Sequence, residues 1–213
     1  GKVAKIPTDG IPPFIFYLSG TVIWAYFSSC LNQTGRTFVD NSQVFGKVYF
    51  PRVAVPISIA ITAVFQFLIQ FAIFLGFFIY FYYIGSDIKP NIYVLTLPLI
   101  VLHMAVLSVG MGLIISAATA KYRDLTFAMG FFVQLWMYLT PVVYPLSEVP
   151  DRFKIFILIN PMTAVVESFR GAFLGANSIT LDSLILSIII TVVVFVLGII
   201  VFSRVEKTFM DTI

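Results

Sequence analysis

Residues 183–203 read SLILSIIITVVVFVLGIIVFS, and no charged side chain occurs between Asp182 and Arg204. A helix rises 1.5 Å per residue, so about 20 residues cross a hydrocarbon core of about 30 Å. The run is therefore long enough for one crossing, and it is apolar on all faces, as a helix surrounded by lipid is. A membrane-spanning backbone must satisfy its own hydrogen bonds, which leaves helices and closed barrels. Barrel strands are about ten residues long and alternate strictly, whereas this run is longer and does not alternate. The stretch reads as a transmembrane helix and sets the class: an all-α integral membrane protein.

The same test applied outward finds four more charge-free gaps. They lie between Asp9 and Arg36, Arg52 and Asp87, Lys89 and Lys121, and Asp124 and Glu148. Their apolar bodies predict spans over residues 11–31, 56–84, 92–120 and 125–143, with 183–203 as the fifth. Residues 155–166 are also apolar but lie between Lys154 and Glu167 and contain Asn160-Pro161. A run of about 10–14 residues reads as interfacial or re-entrant. The surrounding segment 144–180 carries Pro145, Pro150, Pro161, Gly171 and Gly175. It predicts two short helical pieces that dip into one face of the membrane before the last span.

Composition agrees. Of 213 residues, 60% are hydrophobic and 11% charged, against about 25% charged in a soluble domain. A soluble chain of this size could not hide so much apolar surface, and a disordered chain would be polar. One cysteine excludes a disulfide scaffold and a cysteine-based zinc site within one chain. The net charge of +3 is spread out, with no basic run that fits a nucleic-acid surface. The chain begins at Gly1 without the basic-then-apolar layout of a signal peptide, and a preceding segment is expected.

Five spans put the two chain ends on opposite sides. With a cytoplasmic C-terminus, Arg36, Lys47, Arg52, Lys121, Arg123, Arg204 and Lys207 lie inside. Outside lie Lys2, Lys5 and Lys89, with Arg152, Lys154 and Arg170 in the re-entrant region. Leaving out that region, the excess of basic residues favours a cytoplasmic C-terminus.

The sequence holds no G-x-x-x-x-G-K-[ST], H-E-x-x-H or G-x-S-x-G, so a P-loop, a zinc protease helix and a nucleophile elbow are absent. His103 is the only histidine and lies mid-span. It reads either as an intramembrane functional group or as a hydrogen-bonded residue at a helix contact. No catalytic residue and no metal ligand set is expected. Gln66 and Gln70 share a helix face and can line a path or bond another helix. Gly112, Ser116 and Ala120 repeat at four-residue spacing, which permits close helix approach. Trp24, Tyr26, Trp136, Tyr138 and Tyr144 combine a ring with a polar tip. They are candidates for a translocation path, by analogy with the aromatic platforms on which other polymers stack. Two basic segments, QVFGKVYFPR at 43–52 and KYRD at 121–124, read as contact surfaces or as charged anchors for helix ends.

Taken together, KIPTDGIPPFIFYLSGTVIWAYFSSCL, NSQVFGKVYFPRVAVPIS, KYRDLTFAMGFFVQLWMYLTPVVYPLSEVP, INPMTAVVESFRGAFLG and FSRVEKTFMDTI resemble the permease subunits of ABC-2 type polysaccharide exporters. This is the family of O-antigen (lipopolysaccharide), capsule and teichoic acid export. The matching stretches run in family order across nearly the whole chain. The resemblance implies a single membrane domain over 1–213 with five of the family's six spans, the first one missing. It implies a homodimer in the bacterial cytoplasmic membrane, and a separate ABC ATPase subunit that carries ATP and Mg. A lipid-linked polysaccharide of the O-antigen type is the implied substrate, with teichoic acid, capsule, or a small drug or lipid as the alternatives. Carried over by position, Lys47, Tyr49, Phe50, Pro51 and Arg52 form the first ATPase-coupling segment, and Lys121, Tyr122, Arg123 and Asp124 the second. Residues 146–175 become the re-entrant gate, with Asn160, Pro161, Glu167 and Arg170. The last two stand three apart on a helix and can pair.

Overall fold

The computed structural model describes residues 8–45, 51–86, 88–176 and 179–210, with the side chains of 207–210 left aside. Nine α-helices follow one another among these residues, with no strand. They are α1 (Pro13–Gly35), α2 (Thr37–Asp40), α3 (Ser42–Phe45), α4 (Ala54–Tyr83), α5 (Leu97–Lys121), α6 (Leu125–Leu139), α7 (Asp151–Ile159), α8 (Pro161–Leu174) and α9 (Leu181–Met210). Four helical segments are long and apolar enough to cross a membrane: Pro13–Gly35, Ala54–Tyr83, Ile92–Lys121 and Leu181–Glu206. α1 and α5 form the centre, and each buries residues on several faces. α4 and α9 lie at the periphery and bury one stripe each, along Pro56, Ala63, Phe67 and Phe74 on α4 and along Ser187, Thr191, Gly198 and Phe202 on α9.

Contacts at the helix termini define the two ends of the bundle. At one end the Thr119 hydroxyl donates to Gly35 O at 2.8 Å, and Phe38 stacks on Phe202 at 4.6 Å. Arg36, Arg52, Lys121, Arg123 and Arg204 lie at or beside this end. At the other end Ser147 Oγ donates to Asp9 Oδ1 at 2.7 Å, and Asn91 Nδ2 donates to Gly171 O at 2.9 Å. The first end, which the charge argument above expects on the cytoplasmic side, is called the inner end below and the second the outer end.

One expected span differs. Residues 125–143 were predicted as a full crossing, but α6 ends at Leu139 after 15 residues. Such a helix rises about 22 Å, less than a hydrocarbon core of about 30 Å. The cause is local: Thr140 is extended, the conformation that a following proline imposes, and Pro141 cannot continue the helix hydrogen bonding. The chain still reaches the outer end, because Ser147 meets Asp9 there. The fourth crossing is thus completed by non-helical backbone.

α7 and α8 meet at a bend of 96°. The side chain of Asn160 caps α8 by accepting from Met162 N at 3.1 Å, and Pro161 stands at the first helical position, where its missing N–H costs nothing. α8 ends at Gly175, whose φ of 79° closes the helix in the left-handed region. A Cβ there would come within 2.9 Å of Lys89 O. Since α8 finishes beside the start of α5, the α7–α8 pair begins and ends in the outer half. It is a re-entrant element and not a sixth crossing.

α5 and α9 touch through glycine. A Cβ on Gly198 would collide with Gly110 O, and one on Gly110 would lie 2.7 Å from Phe195 Cα. Gly112 plays a similar part against Thr34 of α1. Close backbone approach is how helices associate where lipid removes the hydrophobic drive. Gly198→Leu should separate α5 from α9 and destabilise the fold by about 1–3 kcal/mol, read as a lower midpoint of thermal unfolding in detergent. An unchanged midpoint would show that this contact does not hold the pair.

Candidate functional site

α8 is buried on nearly every face: thirteen of its fourteen residues are buried, all except Ser168. Two of the thirteen are Glu167 and Arg170. The Arg170 guanidinium is fully buried and lies 3.8 Å above the Phe16 ring. Its Nη1 donates to Glu167 Oε1 at 3.2 Å and also to Pro141 O, its Nη2 donates to Val142 O at 2.6 Å, and its Nε donates to Ser19 Oγ at 3.3 Å. One side chain therefore joins α1, α8 and the chain beyond α6.

These partners explain one another. α6 stops short, so the carbonyls that follow it lack helical donors. Unsatisfied carbonyls at membrane depth cost several kcal/mol each. Arg170 supplies donors to Pro141 and Val142, while Asn160 Nδ2 donates to Leu139 O at 3.2 Å and to Thr140 Oγ1 at 2.9 Å. The re-entrant pair thus completes the hydrogen bonding of the broken fourth crossing. Glu167 balances the charge, without which a buried guanidinium is costly. Gly20 leaves the room, since a Cβ there would sit 2.6 Å from Val142 O and 2.8 Å from Arg170 Nη2.

A hydrogen-bonded line leads from this region into α9. Ser187 Oγ donates to Pro161 O at 2.9 Å, at the bend between α7 and α8. His103 Nε2 lies 2.9 Å from Thr191 Oγ1 and 3.2 Å from Ser187 Oγ. His103 is therefore a hydrogen-bonded residue at the α5–α9 contact. At the inner end of α9, Arg52 Nη1 donates to Glu206 O at 3.0 Å and Nη2 donates to Phe45 O at 3.1 Å, with the guanidinium 5.2 Å from the Phe45 ring.

The cluster fastens α1, α8 and the chain beyond α6 to one another within an apolar bundle. The sequence profile of the family described as ABC-2 type transporter matches residues 5–174, from the outer end of the chain through α8 and the whole Arg170 cluster. The chain belongs to that family. Two O-antigen export system permease proteins RfbA of Klebsiella pneumoniae are similar to it, 25% identical over 201 residues and 23% identical over 199 residues. Each of those alignments takes in 92% of this chain and 74% of the relative. The O-antigen export system permease protein RfbA of Myxococcus xanthus is 26% identical over 170 residues, 78% of this chain and 63% of that protein. The chain is a multi-pass ABC-2 permease close in sequence to permeases named for O-antigen export.

The permease does not bring all of its predicted site residues to one place. Trip points arise first among the path aromatics. Trp24 and Tyr26 are 7% and 2% exposed, so they cannot line an open path on this chain. Tyr26 instead donates its hydroxyl to Ala60 O of α4 at 3.3 Å, and Trp24 packs on Phe27. Trp136 is half-buried, edge-on to Phe27. Only Tyr138 is exposed, and half-buried Tyr144 donates to its carbonyl at 3.1 Å. Physically, α1 is the central helix, and its large rings fill the bundle.

Of the two coupling segments, KYRD is exposed at all four residues, with Lys121 Nζ 5.3 Å from the Tyr122 ring. In the first, Lys47, Tyr49 and Phe50 lie outside the described residues, and Pro51 is exposed. Arg52 was expected to offer its charge to a partner. That is corrected: it is 4% exposed and turned inward onto Phe45 and Glu206. Gln66 Oε1 accepts from Ser29 Oγ at 3.2 Å and so bridges α4 to α1. Among the described residues no group of three or more His, Cys, Asp or Glu could hold a metal ion.

Ser19, Gly20 and the carbonyls of Pro141 and Val142 were not singled out in the sequence. A glycine inside a span and the Thr140-Pro141 pair were the available signals. Arg170→Met keeps most of the stem and removes every guanidinium donor, so the carbonyls of Pro141 and Val142 lose their partner and Glu167 loses its cation. It should lower stability by about 3–5 kcal/mol, seen as loss of folded permease in detergent, while Glu167→Met/Arg170→Met together should recover part of the loss. If Arg170→Met unfolds at the wild-type temperature, the cluster does not hold the hairpin.

Proposed function

We propose that this permease is the membrane path and gate of an ATP-driven exporter that carries a lipid-linked polysaccharide of the O-antigen type across the bacterial cytoplasmic membrane. It acts as a homodimer, and a separate ABC ATPase binds its inner end. The observation that carries this reading is the agreement of the three relatives, all named as O-antigen export system permeases and together matching 78–92% of the chain. The chain has no P-loop of its own, which fits ATP and Mg on a partner.

The proposed mechanism follows from the contacts. KYRD projects from the basic end as a short exposed turn, a shape suited to a partner surface. The first coupling segment, residues 43–52, is tied to the end of α9 by Arg52. A push on that segment reaches α9, and α9 is bonded through Ser187 to the bend of the re-entrant pair. α8 then moves as a unit, because Glu167 and Arg170 travel together. The exposed α6 side chains Phe127, Phe131, Leu135 and Tyr138 stand at helical spacing and face the second copy in this reading.

Lys121→Glu with Arg123→Glu reverses the exposed cations without touching the Arg52 latch. Folded permease should persist, while the ATPase no longer co-purifies and surface polysaccharide disappears from cells. Wild-type co-purification and export in this variant would refute the coupling role. Loss of surface polysaccharide together with inward accumulation of its lipid-linked form is the expected result of deleting the permease. If only export of a small lipid or drug were lost, the substrate assignment would fall.

A further inference from the structure

α5, α8 and α9 enclose a cavity of about 680 Å³, within the range of about 300–1,000 Å³ typical of small-ligand sites. Its floor is the re-entrant helix, where Val165, Gly171 and Ala172 keep the surface low. Its walls are Leu99, Leu102 and Val106 on α5 and Leu184, Ile188 and Val192 on α9. Leu99, Leu102, Ile188 and Val192 are all exposed, so the cavity opens onto the lipid-facing surface of two spanning helices and is continuous with it.

The cavity begins at the outer end, at Tyr93, Thr96 and Thr180, and reaches inward to Val106 and Val192. The eleven steps along α9 from Leu181 to Val192 rise about 17 Å. That matches one half of a hydrocarbon core of about 30 Å. Polar groups gather at the mouth, where a tyrosine suits the headgroup level. In the deep part, His103 and Thr191 are bonded to each other, and Ser168 Oγ is buried without a hydrogen-bond partner among the described residues. The walls are mostly apolar, and leaving the cavity empty would forfeit dispersion contacts along them.

We propose that this groove is a binding site for one acyl chain of an outer-leaflet phospholipid. The chain lies along α5 and α9 with its ester end beside Tyr93 and Thr180. It supports the floor helix α8 from the side opposite the Arg170 cluster, and so helps hold the re-entrant pair in place. The site needs only a membrane around the permease, so it stands apart from the choice of exported substrate.

The test uses the permease in nanodiscs of phosphatidylglycerol that carries a photoreactive diazirine in one acyl chain. After irradiation, adducts should be several-fold more abundant at Leu184 and Ile188 than at Ile189 and Val193, which lie at similar depth outside the groove. Val192→Trp, and from the other wall Leu99→Trp, should each remove the excess while the permease remains monodisperse. Uniform labelling along α9 would mean ordinary annular lipid and would overturn the proposal. So would an excess that survives both tryptophans. Absence of adducts in the groove would mean that another protein segment covers it. Displacement of the adducts by a small fraction of polyprenyl phosphate would assign the groove to that longer chain instead. Either of these last results rejects the acyl chain.

Discussion

The structure depends on a buried guanidinium. Arg170 sits inside a bundle meant for lipid, where an unpaired charge would be expelled or neutralised. It stays because a carboxylate, two carbonyls, a hydroxyl and an aromatic face surround it. These partners come from three pieces of chain, α1, α8 and the segment after α6, so satisfying the charge forces those pieces together. α6 can end early only because Arg170 and Asn160 take over its last carbonyls. The re-entrant pair, in turn, is fixed in depth by the same bonds. A defect in one crossing and a charge on a neighbouring element thereby become a single joint.

Packing around that joint follows a different rule. α5 meets α9 and α1 through Gly110, Gly198 and Gly112, where contact comes from backbone proximity and not from burial of large groups. Between these contacts, phenylalanines fill the space left over. Phe71, Phe74, Phe169 and Phe173 form one continuous group that joins α4 to α8. The re-entrant helix is therefore gripped by rings on one side and by the charged cluster on another. Between α5 and α9 it meets a groove, and there lipid is the available neighbour.

The spans were legible because hydrocarbon imposes one pattern on every helix it surrounds. Residues 183–203 and the gaps before them state their own depth and length. The pairing of Glu167 with Arg170 was legible for a similar reason, since three-residue spacing places both on one helix face. The shortening of α6 was marked by Thr140-Pro141 but was hidden by the apolar run through Val143. The roles of Trp24, Tyr26 and Arg52 were not legible. Ring chemistry and charge look the same in a sequence whether the side chain faces a path, a partner or the core, and only the neighbours decide.

Composition and charge spacing alone determined an all-α membrane protein, its four long spanning helices, its basic end and the short apolar run that cannot span. These are local consequences of transfer from water to hydrocarbon, and each is written within about twenty residues. Tertiary structure alone decided that Arg170 reaches α1 and the end of α6, that Arg52 turns inward to α9, and that a groove remains between α5 and α9. Those facts join residues up to 154 positions apart. They arise from which carbonyls are left unsatisfied after the helices form, and that is known only once the chain is packed.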